Sequence, residues 1–265
     1  MQTSFRTFLV LSVLIVIFSG FITRQLLSVE SRKFVAAQLA SRELKPTEKK
    51  NQYLKYDYAP LWLHTPHEAV VGFIGADYQR LQMKFLTAVK DPAQPDTYRV
   101  SGKSKVANSI CAFTGTIIVR HVRERRSLPL PVDARVSPAR EAGLLLAEYQ
   151  LSEITTQPKT GVFSGILLTR WFLDKTGRLH YDDLEKYADG YSNNQFVGTW
   201  TPHIGTKVLR CNWGDYRIPN AGDFDMGAGE FSPNEKYRAK GWHTYTQAWM
   251  QQDKAAQQRE SQRWW

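Results

Sequence analysis

Between Asp77 and Val89 the chain reads "DYQRLQMKFLTAV", and this stretch decides the fold class. Leu81, Met83 and Phe85 alternate with Arg80, Gln82 and Lys84. A period of two puts apolar side chains on one face of a strand and polar ones on the other. Downstream, "SICAFTGTIIVRHV", "VFSGILLTRWFL" and "FVGTW" continue in strand-like blocks. "AREAGLLLAEYQLSEI" (Ala139 to Ile154) has the Ala, Glu and Leu content of a helix as well, and is read as a strand. "DPAQPD" (Asp91 to Asp96) is a loop, and "DKTGR" (Asp174 to Arg178) between two strand blocks predicts a hairpin turn.

The pattern F-x-G recurs at Phe73/Gly75, Phe113/Gly115, Phe163/Gly165 and Phe196/Gly198. On a strand, i and i+2 share a face, so each ring is expected to cover the gap left by its glycine, and glycine permits the coiling a closing sheet requires. Eight Trp, twelve Tyr and thirteen Phe fit pleated, half-buried surfaces. The expected fold is mainly β: one strongly curved antiparallel sheet or barrel, calycin-like at most. "GTWTPHIG" (Gly198 to Gly205) resembles the first strand of avidin-like proteins and the G-x-W of lipocalins. In those barrels most strands follow the motif, whereas here sixty-five residues follow Trp200, so the strands must precede it. No biotin- or lipid-contact residue is carried over. The run from "VVGFIGADYQRL" through "GKSKVANSICAFTG" to "CNWGDYRIPNAGDFDMGAGEF", within Val70 to Trp249, resembles a family of bacterial envelope proteins without an established activity. That resemblance implies a shared β domain and no catalytic residue.

Residues 7–23, "TFLVLSVLIVIFSGFIT", are seventeen residues without a charge between Arg6 and Arg24. As a helix they would span about 25 Å at roughly 1.5 Å per residue, which suits a membrane anchor or a signal peptide. Residues 1–23 are therefore read as a signal anchor or signal peptide, and the membrane, reached through residues 7–23, as a partner. The expected location is the cell envelope: anchored with the domain outside the cytoplasm, or secreted or periplasmic after cleavage. Residues 24–58 read as a juxtamembrane helix, striped by Leu27, Phe34, Val35, Leu39 and Leu44, and then a solvated linker. Residues 59–231 form the β domain. Residues 232–265 read as a C-terminal helix with Trp242, Tyr245 and Trp249 at helical spacing, which Gly241 could interrupt, and a tail expected to stay exposed beyond Met250.

Cys111 and Cys211 each stand two residues before an aromatic, Phe113 and Trp213, and so face inward on a strand. A disulfide and two buried thiols both remain open. Net charge is +10, yet Asp174 to Glu230 carries nine acids against six Lys and Arg. With no nucleic-acid motif present, nucleic acid is not an expected partner. The basic run "RHVRERR" (Arg120 to Arg126) is read as a solvated strand end. "SGKSK" lacks the first glycine of a phosphate loop, "GVFSG" is not a nucleophile elbow, and "HTPH" (His64 and His67) has no nearby third ligand. No metal, cofactor or catalytic residue is assigned.

The densest cluster of chemistry is "CNWGDYRIPNAGDFDMGAGEF" (Cys211 to Phe231). With Trp200 upstream, the candidate ligand-binding residues are Trp200, Asn212, Trp213, Asp215, Tyr216, Asp223, Asp225 and Glu230. Carboxylates beside aromatic platforms suit a polar ligand, a glycan in particular, and Gly-rich loops on β scaffolds often carry function. Arg217 paired with an acid would lock such a loop. The reading is a non-catalytic ligand-binding or scaffolding module. The alternatives are a glycan hydrolase using two of Asp182, Asp183, Asp215, Asp225 and Glu230, or a purely structural envelope component.

Overall fold

Nine strands account for the middle of the chain: Val70–Ile74 (β1), Gln79–Lys90 (β2), Thr97–Val106 (β3), Ser109–Glu124 (β4), Ala139–Glu153 (β5), Gly161–Asp174 (β6), Leu179–Tyr181 (β7), Asn193–Pro202 (β8) and Leu209–Asp215 (β9). This structure, a computed structural model, describes residues 26–156 and 159–265. The apolar run at 7–23 lies outside the described residues; among those described, no helix is long and apolar enough to cross a membrane.

Every neighbouring pair is antiparallel, and the sheet closes where β9 meets β1, from Val70↔Asp215 to Ile74↔Cys211. β5 occupies one edge of β6 along almost its whole length. β8 takes the other edge at Gly161 to Leu168, and β7 continues on that edge at Trp171 to Leu173. β7 and β8 are thus two halves of one barrel strand, interrupted by an excursion over residues 182–192. The result is a closed eight-strand antiparallel barrel, in the order β1-β2-β3-β4-β5-β6-β8-β9. "DKTGR" makes the expected turn, with Gly177 at φ +87°.

Rings cover glycines as expected, but across strands rather than along one. Phe113 faces Gly102, Trp171 faces Gly143, Tyr149 faces Gly165 and Trp213 faces Gly72 as direct register partners. A β-carbon on Gly143 would sit 2.6 Å from the Trp171 ring, and one on Gly102 would sit 2.5 Å from the Phe113 ring. The bare backbone lets the ring of the paired residue lie flat against the wall, a same-strand ring being directed past its own glycine by the pleat.

The barrel has no open calyx. Its interior is one buried cluster of Leu81, Met83, Phe85, Phe113, Leu145, Leu167, Phe196 and Trp213, and the chain before β1 enters it. That chain folds as Val29–Leu39 (α1), Lys50–Tyr53 (α2) and Ala59–Leu63 (α3). Tyr53, Tyr58, Leu61 and Trp62 join the interior cluster. Trp62 Nε1 donates to Thr169 Oγ1 at 3.0 Å, and its ring meets Tyr98 edge-on at 4.7 Å. Tyr53 donates to Glu141 at 2.6 Å. The expected solvated linker is therefore a plug. The polar run "KPTEKKNQ" ends at Gln52, and the aromatic residues that follow gain more by leaving water than chain ordering costs.

Outside the barrel, α1 packs Phe34, flanked by Leu27, Val35, Leu39 and Leu44, on Leu144, Leu146, Ile166, Leu168 and Val197, so the predicted stripe is the contact face. Glu30 anchors it, accepting from Arg210 at 2.8 Å and Asn212 at 2.9 Å. The C-terminal segment lies on the outer face of β1, burying Trp242 and Tyr245 with Val71, Phe73, Phe224 and Phe231. It is broken into a 3-10 turn (Glu235–Lys240), a break at Gly241 (φ +91°), a helical turn (His243–Tyr245, α4) running into a π-helix (Thr246–Met250), and Lys254–Glu260 (α5). The stretch beyond Met250, expected to be loose, docks through buried Ala256 and Glu260. Arg80 makes this possible by gripping Glu260 with both terminal nitrogens, at 2.9 and 2.6 Å.

Cys111 and Cys211 are separate free thiols, both buried. β3, β2 and β1 intervene between their strands around the wall. Burial pushes both thiols up.

Candidate functional site

Where β9 ends, the chain turns outward at Tyr216, whose φ of +67° is strained for a bulky residue. Three segments meet there: the excursion that interrupts the β7–β8 strand, the loop after β9, and the C-terminal segment. Gly190 N–H donates to the Gly229 carbonyl at 2.8 Å and joins the first two. Between them lies an open cleft of about 420 Å³. Its aromatic lining is Tyr187, Tyr191, Tyr216, Phe231, Tyr245 and Trp249. Tyr191 and Tyr216 meet edge-on at 5.2 Å, as do Tyr245 and Trp249 at 6.4 Å. Glu68, Glu230, Lys186 and Arg217 supply charge at the rim. Burial, and after it the neighbouring Asp215, pushes the Tyr216 phenol up; burial does the same to Tyr191 and Tyr245. These phenols are therefore neutral hydroxyls that can both donate and accept.

Arg217 fixes the wall. Its guanidinium holds Asp225 at 2.9 and 2.7 Å and donates to the carbonyls of Gly227, Ala228 and Gly229. Asp225 also accepts from the N–H groups of Gly227 and Ser232 at 3.0 and 3.1 Å. This is the expected arginine lock, and it consumes Asp225.

Of the eight candidates, Tyr216 and Glu230 alone line the cleft. Trp213 is inside the barrel, stacked on Phe196 at 4.4 Å. Asp215 is buried beside it and accepts from Thr65 at 2.7 Å, Tyr181 at 2.9 Å and Asn194 at 2.8 Å. Burial pushes its pKa up to about 7 against those three hydrogen bonds. Asn212 points outward under α1, bonded to Glu30 and to the Pro219 carbonyl. Asp223 is paired with Lys236 on the surface away from the cleft. Trp200 sits at the opposite end of β8, paired with Leu209 where Asn193 pairs with Asp215, and donates its Nε1 to Glu153 at 3.0 Å.

The proposed hydrolytic set does not assemble around the cleft. Asp182 is buried at the base of the excursion, 3.7 Å from Arg125, and burial lifts its pKa to about 6 against that cation. Of Asp182, Asp183, Asp215, Asp225 and Glu230, the cleft is lined by Glu230. Most of the basic run at the end of β4 is ion-paired, with Arg126 left exposed: Arg120 pairs with Glu148, His121 and Arg123 with Glu48, and Arg125 with Glu185. His64 stacks on Tyr181, and His67 lies 3.2 Å from Glu68. Among the described residues no three His, Cys, Asp or Glu side chains gather as a metal site.

Lys186, Tyr187 and Tyr191 were not singled out from the sequence. The available signal was "KYADGY", two aromatics around a glycine inside what the strand pattern shows to be an interruption. Compared with known proteins, the chain matches no family model, no curated protein and no solved structure. The site thus rests on its own geometry.

Proposed function

We propose that the protein is a non-catalytic binding module of the cell envelope that takes a polar, ring-bearing ligand, a glycan, in the cleft at Tyr216. The observation that carries this reading is the cleft itself: six aromatic side chains beside two carboxylates, in a volume of about 420 Å³. Ligand sites commonly occupy roughly 300 to 1,000 Å³ and combine apolar walls with a few polar groups. Sugar rings present C–H faces to aromatics and hydroxyls to carboxylates, and Glu68 and Glu230 stand where hydroxyls would need acceptors. The strained Tyr216 backbone, held by the arginine lock, supports a preformed site. Residues 7–23 supply the basis for placing the domain at a membrane.

Calorimetric titration of the full chain in detergent against a panel of glycans, N-acetylglucosamine oligosaccharides among them, tests the proposal. Binding heat that disappears in Trp249→Ala and Tyr187→Ala is the expected result; no heat across the panel, or heat unchanged in both variants, overturns it. A second reading, a purely structural envelope component, is favoured by the filled barrel and predicts no heat. The hydrolase alternative draws support from Glu230 alone.

A further inference from the structure

On the other side of the C-terminal segment from the aromatic cleft lies a second cavity of about 420 Å³, between β2, the β3–β4 turn and α5. Its lining is of a different chemistry. Arg80, Lys105, Arg259 and Arg263 supply four cations against one carboxylate, Glu260. That carboxylate is already committed: both oxygens are held by Arg80. Lys105, Arg259 and Arg263 have no ion-pair partner among the described residues. Lys105 and Arg263 instead lie over the rings of Trp264 and Trp265, at 5.9 and 5.4 Å. The Trp264 indole N–H, at the cavity wall, is buried without an acceptor. The side-chain amides of Gln82, Asn108 and Gln262 complete the donors.

Like charges are expected to spread apart over a surface unless something rewards their convergence. Here three uncompensated cations and several amides converge on one hollow beside the Arg80–Glu260 pair. We infer that this cavity is a second binding site, independent of the aromatic cleft, for a phosphoryl oxyanion, carried by a soluble phosphorylated molecule or by an anionic lipid headgroup. Arginine and lysine together suit such a group, arginine by its fork and lysine as a point charge.

The test uses the full chain in non-ionic detergent, titrated with inorganic pyrophosphate by calorimetry. A parallel arm measures co-sedimentation with phosphatidylglycerol vesicles and with phosphatidylcholine vesicles. The double variant Lys105→Gln/Arg263→Gln is compared with Arg126→Gln/Arg135→Gln, which removes the same charge from exposed positions elsewhere. The expected result is a loss of pyrophosphate affinity of at least tenfold in the first pair and less than twofold in the second. Vesicle binding that pyrophosphate displaces identifies a lipid source, and pyrophosphate binding without vesicle binding identifies a soluble one. Absence of both, or equal losses in the two double variants, overturns the inference. If the first pair fails to fold, Arg259→Gln/Arg263→Gln, confined to exposed side chains, takes its place. Trp249→Ala, which disables the glycan cleft, should leave pyrophosphate binding unchanged.

Discussion

The barrel interior and the cleft outside it are both rich in aromatic rings, yet they do opposite work. Inside, Trp171 and Trp213 are almost wholly buried and face glycines across the wall. Outside, Tyr187 remains 82% exposed, and Trp249 is partly covered at the cleft edge. The interior has spent its rings on packing and keeps beside Asp215 a void of about 20 Å³, room for no more than a water. The roomier hollows lie on the outer surface, one of them at the interrupted strand. In this closed eight-strand barrel the α2–α3 plug occupies the place where an open barrel would have a cavity.

The comparison can be broken by exchanging the two kinds of ring for alanine. Trp213→Ala should destabilise by roughly 3–5 kcal/mol, the usual range for a buried large aromatic, read as a shift in the urea midpoint. Trp249→Ala should change stability by about 1 kcal/mol or less while removing glycan heat. Equal losses of stability would erase the distinction.

Overfilling is the next largest effect. Gly143→Ala places a methyl against the Trp171 ring and the Arg123 carbonyl, and is expected to cost about 1–3 kcal/mol in denaturant unfolding. The corresponding change at exposed Gly205, whose β-carbon has Pro202 at 3.7 Å, meets backbone strain at φ +113° but no such collision, and should cost less.

Acid groups sharpen the contrast further. Asp215 has a folded pKa of about 7 against a usual value of 3.8, so the folded state binds more protons than the unfolded state between these values. Its contribution is fully present below about pH 4 and is lost as pH rises through 7. Asp182, lifted to about 6, acts in the same direction. Asp215→Asn keeps a carbonyl oxygen for the donors of Thr65, Tyr181 and Asn194 without a titrating charge. Relative to the wild type it should gain stability from about pH 4 to pH 7 and level off above that in denaturant unfolding; a difference independent of pH would contradict the burial of a titrating group. At the cleft, Glu230→Gln should stay within about 0.5 kcal/mol of wild type and weaken glycan binding, the smallest effect on stability expected.

Much of this molecule is legible in its alternation. The period-two runs mark β2, β4, β6 and β8, and the α1 stripe names its own contact residues. The same alternation bore on the site: Cys211, Trp213 and Asp215 are i, i+2 and i+4 on β9, so placing Trp213 inward places Asp215 inward too. Its chemistry groups Asp215 with the loop acids, but its strand face turns it inward. The plug left no periodic trace because α2 and α3 are four and five residues long. Its burial comes from a barrel built out of later sequence. The cleft joins Glu68, Tyr187, Tyr216 and Trp249, which only the closure of the sheet brings together.

Trp62→Ala tests most directly whether residues before β1 fill the barrel and leave binding to its outside. Its indole reaches Thr169, which donates to Asn194 at 2.8 Å, which in turn donates to Asp215. A urea titration of the full chain should show a loss of roughly 3–5 kcal/mol with a single cooperative transition. A variant as stable as wild type would mean that this segment lies in solvent, that the barrel is open, and that the ligand site must be sought within it.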